Sequence, residues 1–517
     1  MTLPLPVLIL LSPLCAALAL CLIRADDHAR IRRIAVAGTA IPLVGAWFVT
    51  ATYDPAVAGY QHELFVPWIR ALGIGFHVGV DGISAALVLL HAVCAFTGVL
   101  ISYAITQRVK EYYVFYLLLI TGVFGVFLSL DLFFFYFFYE MAVIPMYPLI
   151  GMWGSDVTEG GVVRFSKEYA AMKLTIYLTL GAVVALTGLL WLYASTGAGT
   201  FDLVALQRHL ASQPLSPSLQ RTIFPLLALG FGVIAPLWPF HSWSPIGHAA
   251  APSAVSMLHA GVLMKLGSYA IIRLAMGLLP AGAQIWMPWI AGLSVMNILY
   301  GGFVAMAQKD LKLIIGYSSS SHMGYVLLGI ACLTPLALDG AVLLMFAHGI
   351  MTALAFALVG HIYDQTHTRY LPELGGLAHQ MPFIATCGVI AAMASSGLPG
   401  FGNFVAELLV FLGGWDAHPL PVICGVFGVV ITAVYMLRFV RGVFFGPSKA
   451  AFARVSDVRT PLARAPYLML IVVLLIVGCW PSPLLRRIDA GSRSLLAQVV
   501  SAPPHQQPVE SQLSVLP

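Results

Sequence analysis

The sequence predicts an all-α protein that crosses a membrane about fourteen times. Three observations carry this reading. Of the 517 residues, 60% are apolar. Lys+Arg 26 and Asp+Glu 21 fall far below the roughly 130 charges that a water-coated chain of this length would carry. The apolar residues also gather into runs of about 20, the number that spans a hydrocarbon layer of about 30 Å as a helix. A soluble multidomain enzyme is therefore excluded.

The runs lie near 3 to 23, 34 to 53, 82 to 104, 112 to 130, 131 to 152, 170 to 195, 223 to 242, 252 to 279, 285 to 306, 312 to 333, 340 to 362, 381 to 413, 420 to 440 and 465 to 481. No Lys or Arg precedes the first run, so it reads as a retained span rather than a signal peptide. The fourth and fifth runs almost abut at Asp131. Leucines at amphipathic spacing in 197 to 222 place that loop along the membrane surface, and the tail after 501 reads as loose polar extension.

Basic residues set the orientation. Seventeen fall in loops on one side, including Lys309 and Lys312, and six on the other, so the richer side is cytoplasmic and both termini lie outside. Three more, Lys173, Lys265 and Arg273, fall within spans. The balance reports topology. With no basic patch interleaved with aromatics, it gives no case for nucleic acid.

Two spans carry helix breakers in their apolar middles: the seventh at Pro236 and Pro239, the twelfth at Gly397, Pro399, Gly400 and Gly402. Lipid cannot replace the lost backbone hydrogen bonds, so such breaks must line a wet or protein-filled cavity. Spans four to eight and nine to thirteen then read as two five-helix units, each broken in its fourth helix, a pattern pointing to a repeated transporter with its ion path near the midplane. The expected divisions are 1–105 (three N-terminal helices), 112–279 and 285–440 (the two repeats), and 441–517 (cytoplasmic loop, last span and tail).

Candidate functional residues are the ionisable groups at depth. Glu140 sits nine residues past Asp131, about 14 Å into the layer, where a charge costs about 2.5 to 3.5 kcal/mol. Lys265 lies near mid-depth with His259 one and a half turns earlier. Glu407 follows the twelfth-span break, within reach of water entering it. Lys173, close to the start of the sixth span, reads equally as a relay group or as a side chain snorkelling to the cytoplasmic face. Fifteen histidines include His322 and His348 inside spans ten and eleven, and imidazole both gives and receives protons near neutral pH. No nucleotide, flavin or metal motif is present, and none of the seven cysteines forms a C-x-x-C, so no cofactor or metal is expected.

The segments YEMAVIPMYPLIGMWG, PFHSWSPIGHAAAPSAVSMLHAGVLMKLGSYAIIR, DLKLIIGYSSSSHMGYVLLGI and SGLPGFGNFVAE resemble the antiporter-like membrane subunits of respiratory complex I, of the chain M or subunit 4 type. The resemblance implies fourteen helices, two inverted five-helix repeats with helices seven and twelve broken, and proton translocation in a bacterial inner membrane. It also implies that NADH:quinone chemistry resides in other subunits and that neighbouring membrane-arm subunits and the lipid bilayer are the partners.

By motif position Glu140, Lys265 and Glu407 resemble the family's fifth-, eighth- and twelfth-helix ionisable residues, and Lys173, His322 and His348 match family positions too. The chain departs from the pattern at Ile234, where the family carries a seventh-helix lysine, and at Ile246, where it carries aspartate. That departure predicts a changed coupling at Glu140. The alternatives are an Mrp-type cation/proton antiporter subunit, the membrane arm of an ion-pumping hydrogenase, and a non-pumping scaffold.

Overall fold

In a computed structural model, residues 4–57 and 59–500 are described. Among the described residues, twelve helices are long and apolar enough to cross a membrane. They are spans 1 (Leu5–Leu22), 2 (His28–Thr52), 3 (Gly82–Ala104), 4 (Val109–Leu128), 5 (Leu132–Trp153), 6 (Lys167–Thr196), 7 (Pro217–Ile234), 8 (Ser253–Met276), 9 (Pro280–Ala307), 11 (Pro335–Thr366), 13 (Pro419–Phe444) and 14 (Pro461–Cys479). Span 12 is split into Pro382–Ser395 and Gly402–Gly414. Span 10, Leu311–Ala331, carries the serine run 318 to 321 and lies in the protein interior against spans 9, 11 and 12, so its polar side chains meet protein instead of lipid.

The inverted repeat is visible in hydrogen bonds. Asp131 opens span 5 and accepts from the Phe133 and Phe134 amides, while Asp310 opens span 10 and accepts from those of Lys312 and Leu313. Each also sits in a two-bond bridge to the loop beyond the next span. Leu132 N donates to Phe201 O and Leu203 N to Leu130 O; Leu311 N donates to Arg369 O and Leu371 N to Lys309 O. Span 5 begins on the outer face and span 10 on the cytoplasmic one, so the same arrangement recurs upside down. Packing follows it: span 4 lies on 5 as 9 lies on 10, and 6 on 7 as 11 on 12.

Several elements differ from the sequence expectation. Span 7 starts before the expected run and its break is wide: the helix Pro217–Ile234 stops there and a second piece resumes as Trp243–Ala250. Span 5 is interrupted between Val143 and Met146, where Pro145 removes an amide donor. Lys312 is not a loop residue. It stands in the first turn of span 10, 4% exposed, and donates to Ala251 O at 2.6 Å.

A hairpin, β1 (Gln61–Ile69) with β2 (Ile74–Val80), covers part of the outer face, and an amphipathic helix Ser482–Val500 crosses it against spans 3, 9 and 11. Neither is an apolar run of span length, which is why a search for such runs passes over both. The expected surface segment after span 6 is the helix Leu203–Ser212, with Leu203 and Leu206 buried. The tail after 501 lies outside the described residues.

Candidate proton path

Spans 8, 10, 11 and 12 bring four predicted residues into one line. Span 8 departs from regular geometry twice, with π-helical segments at His259–Leu263 and Ile271–Met276 on either side of Lys265. Wide turns of this kind cluster at functional sites. The Lys265 ammonium, fully buried, donates to Ala260 O at 2.5 Å and to His348 Nδ1 at 2.8 Å. His348 stacks on His322 with ring centres 5.0 Å apart. His322 Nε2 in turn lies 3.7 Å from Glu407 Oε1.

The chemistry of each link follows from its contacts. With Lys265 donating to Nδ1, the neutral His348 ring carries its proton on Nε2. That nitrogen is buried and bonds no other described residue. Both nitrogens of His322 face carbonyl oxygens, Ser318 O at 2.8 Å and Ser395 O at 3.2 Å, so whichever nitrogen carries the ring proton has an acceptor.

Glu407 reaches back to the helix break. Gly397 sits at φ +64, and a Cβ there would stand 2.7 Å from Glu407 Oε2, so glycine both makes the turn and admits the carboxylate. Asn403, one turn before Glu407, is fully buried with both side-chain polar atoms unbonded to any described residue; the hydroxyls of Ser319 and Ser395 are in the same state. Buried groups of this kind are satisfied by water, so the break is the polar end of the line. Asn403 was legible as a polar residue one turn from Glu407 but was not singled out.

The remaining predicted residues lie off that line. His259 stacks on Trp243 at 5.3 Å and meets His248 at 3.9 Å between ring centres, and neither of its nitrogens bonds a described residue. His248 contacts Ser244 Oγ at 3.1 Å, forming a second histidine pair on the cytoplasmic side of Lys265. Lys173 is half-buried, with its ammonium 6.0 and 5.8 Å from the rings of Tyr169 and Tyr177 on its own helix.

Glu140 is half-buried and forms no ion pair with a described residue. Its neighbours three before, four after and seven after, Phe137, Ile144 and Tyr147, are exposed, so the carboxyl borders the outer perimeter of the bundle. Ile234 is fully buried, and a Cβ on Gly267 of span 8 would lie 2.5 Å from its Cγ2. An aliphatic contact between spans 7 and 8 thus occupies this position.

Residues 129–432 match the family described as NADH:quinone oxidoreductase/Mrp antiporter, transmembrane. The chain belongs to that family. It is 36% identical over 466 residues to NADH-quinone oxidoreductase subunit M of Pseudomonas aeruginosa, covering 88% of this chain and 90% of that one. It is 34% identical over 440 residues to the subunit of the same name from Escherichia coli K12, covering 84% and 85%.

Among solved structures, a chain of respiratory complex I from Thermus thermophilus with bound NADH superposes with a TM-score of 0.86 at 28% identity, covering 96% of this chain and 99% of that one. A chain of the Mrp complex from Dietzia sp. DQ12-45-1b reaches 0.82 at 21% identity, covering 97% and 100%, which shows a shared fold. The family's broken seventh and twelfth helices are both present here.

Proposed function

We propose that this chain translocates protons as an antiporter-like subunit in the membrane arm of an NADH:quinone oxidoreductase of a bacterial inner membrane. Its conductor is the row Lys265, His348, His322 and Glu407. The redox chemistry belongs to other subunits, and the chain itself requires no cofactor. The contiguity of those four side chains carries the reading, since evolution has little structural reason to bury a lysine, two histidines and a glutamate in a line through oil.

A proton delivered to Lys265 passes to His348 Nδ1 along an existing hydrogen bond; the ring then releases its Nε2 proton, which crosses by a bridging water to the neighbouring His322 and leaves by Glu407 through the break of span 12. Each 100 mV of membrane potential opposes outward movement by about 2.3 kcal/mol per charge. The load is met by changing the charge next to Lys265, which alters how tightly the row holds its proton.

Glu140 belongs to the same reading as an input group. A carboxylate on the bundle perimeter is costly in hydrocarbon, so a neighbouring membrane-arm subunit covers it and supplies the countercharge that position 234 does not. Lys173, on the adjoining helix, and the His248–His259 pair stand as cytoplasmic-side groups feeding Lys265. The relatives over 30% identical support the quinone-linked assembly over an Mrp-type antiporter.

The test is reconstitution of the whole complex with Lys265→Ala or Glu407→Gln. Loss of proton uptake per electron with electron flow retained supports the row; an unchanged ratio refutes it.

A further inference from the structure

Eight residues beyond Lys265, about 12 Å further toward the outer face along span 8, stands Arg273. Its guanidinium is 4% exposed and donates to Asp81 Oδ1. The rings of Tyr60 and Tyr269 lie 5.7 and 5.3 Å from it. Asp81 is held rigidly as the N-cap of span 3, accepting from Ser84 N at 2.9 Å while its own amide donates to Ser84 Oγ at 2.9 Å.

Outward of this pair opens a cavity of 540 Å³, walled by the surface helices Leu203–Ser212 and Ser482–Val500 and reaching Asp81 and Arg273. Midway between Lys265 and Arg273, Tyr269 is 2% exposed and donates to Phe127 O at 3.2 Å. The second π segment of span 8, Ile271–Met276, contains Arg273.

The energetics of a direct exit follow from these contacts. A proton leaving Lys265 straight outward meets a phenol committed to a backbone carbonyl, then a guanidinium that stays protonated and so cannot accept it. Asp81 directly precedes span 3 at the outer surface, whereas Arg273 lies six residues short of the turn at Leu279. The positive end of the pair therefore faces Lys265. A fixed arginine in a narrow passage is a recurrent barrier to protons and cations.

We infer that the Arg273–Asp81 pair is an ionic plug closing the outer end of span 8, so that Lys265 discharges sideways to His348 and outer protons do not fall back onto it. The inference rests on the relay proposed above. It assigns the outer cavity to a closed branch, with Glu407 as the open one.

The experiment is a pH jump on proteoliposomes holding the complete complex, without NADH, read by a pH dye inside the vesicles. Arg273→Gln alone leaves a buried carboxylate unpaired, so the informative variant is Arg273→Gln/Asp81→Asn, which removes both charges. Its passive proton leak is expected to rise severalfold, because the fixed guanidinium that repels an incoming proton is gone. Adding Lys265→Ala should abolish the extra leak. Tight vesicles in the double variant, or a leak that survives Lys265→Ala, overturn the plug. The relay fails separately if Lys265→Ala alone leaves the NADH-driven proton-to-electron ratio unchanged.

Discussion

Lys265 donates to Nδ1 of His348 at 2.8 Å, across 83 residues of chain, and this bond joins the two five-helix halves of the molecule at mid-membrane. The halves are 112–279 and 285–440 in the proposed division. Lys265 comes from the last helix of the first and His348 from the third helix of the second. A change of charge on one half is thereby felt by a proton carrier on the other.

Replacing His348 with Gln separates structure from conduction. The amide oxygen can still accept from Lys265, but the side chain cannot carry a proton onward. Proton transfer through the row should slow by roughly a hundredfold or more, a typical share for one positioned acid–base group. NADH oxidation and the proton-to-electron ratio, measured together in proteoliposomes, check this: the ratio falls while assembly is preserved.

Ile234→Lys tests the aliphatic contact between spans 7 and 8. The longer side chain must enter a packed contact with Gly267, which costs about 1 to 3 kcal/mol, and carry a charge into the layer. We expect a lower unfolding temperature of the complex and an altered proton-to-electron ratio. An unchanged ratio would mean that protons do not pass this position.

Arg369 and Asp310 form the staple of the cytoplasmic face. Arg369 Nε lies 2.5 Å from Asp310 Oδ2, both residues are 4% exposed, and the guanidinium also binds Ala249 O at 2.8 Å and Asp156 O at 2.9 Å. Asp310→Ala leaves that cation buried without its anion and span 10 without its cap. A loss of about 3 to 5 kcal/mol is expected, seen as failed assembly or a marked drop in thermal stability. Asp310→Asn, which keeps the cap, should lose less.

The outer hairpin carries a pH response. His77 on β2 bonds Asp202 Oδ2 through Nδ1 at 2.5 Å and Glu63 Oε2 through Nε2 at 3.0 Å. Burial pulls its pKa down, but the bonds and charges of Asp202 and Glu63 outweigh this and leave it raised. The stabilisation is therefore complete below the unfolded value near 6.5 and is lost as pH climbs through the raised folded value. Hydrogen-exchange protection over 61–80, taken relative to the base-catalysed exchange of free peptide, should fall as the medium turns alkaline, and His77→Gln should flatten that fall.

Much of this was readable from the residues because membrane insertion imposes a fixed length on every span and a steep cost on every charge. The spans, the two breaks, and Lys265, His322, His348 and Glu407 follow from those constraints and from motif spacing. Their contiguity does not, because spans 8, 10, 11 and 12 meet only through tertiary packing. Lys312 was misread because its position beside Lys309 resembles a loop, whereas the Asp310 cap starts the helix before it. The hairpin at 61–80 and the helix Ser482–Val500 rest on amphipathic or alternating patterns too short or too polar to register as spans.

Infrared difference spectroscopy of the complex during turnover addresses the central claim most directly, by watching the carboxyl stretch of Glu407. The account predicts a protonated-carboxyl band that appears and disappears with each cycle and is missing in Glu407→Gln. A spectrum in which no band assignable to Glu407 changes while protons are pumped would contradict it.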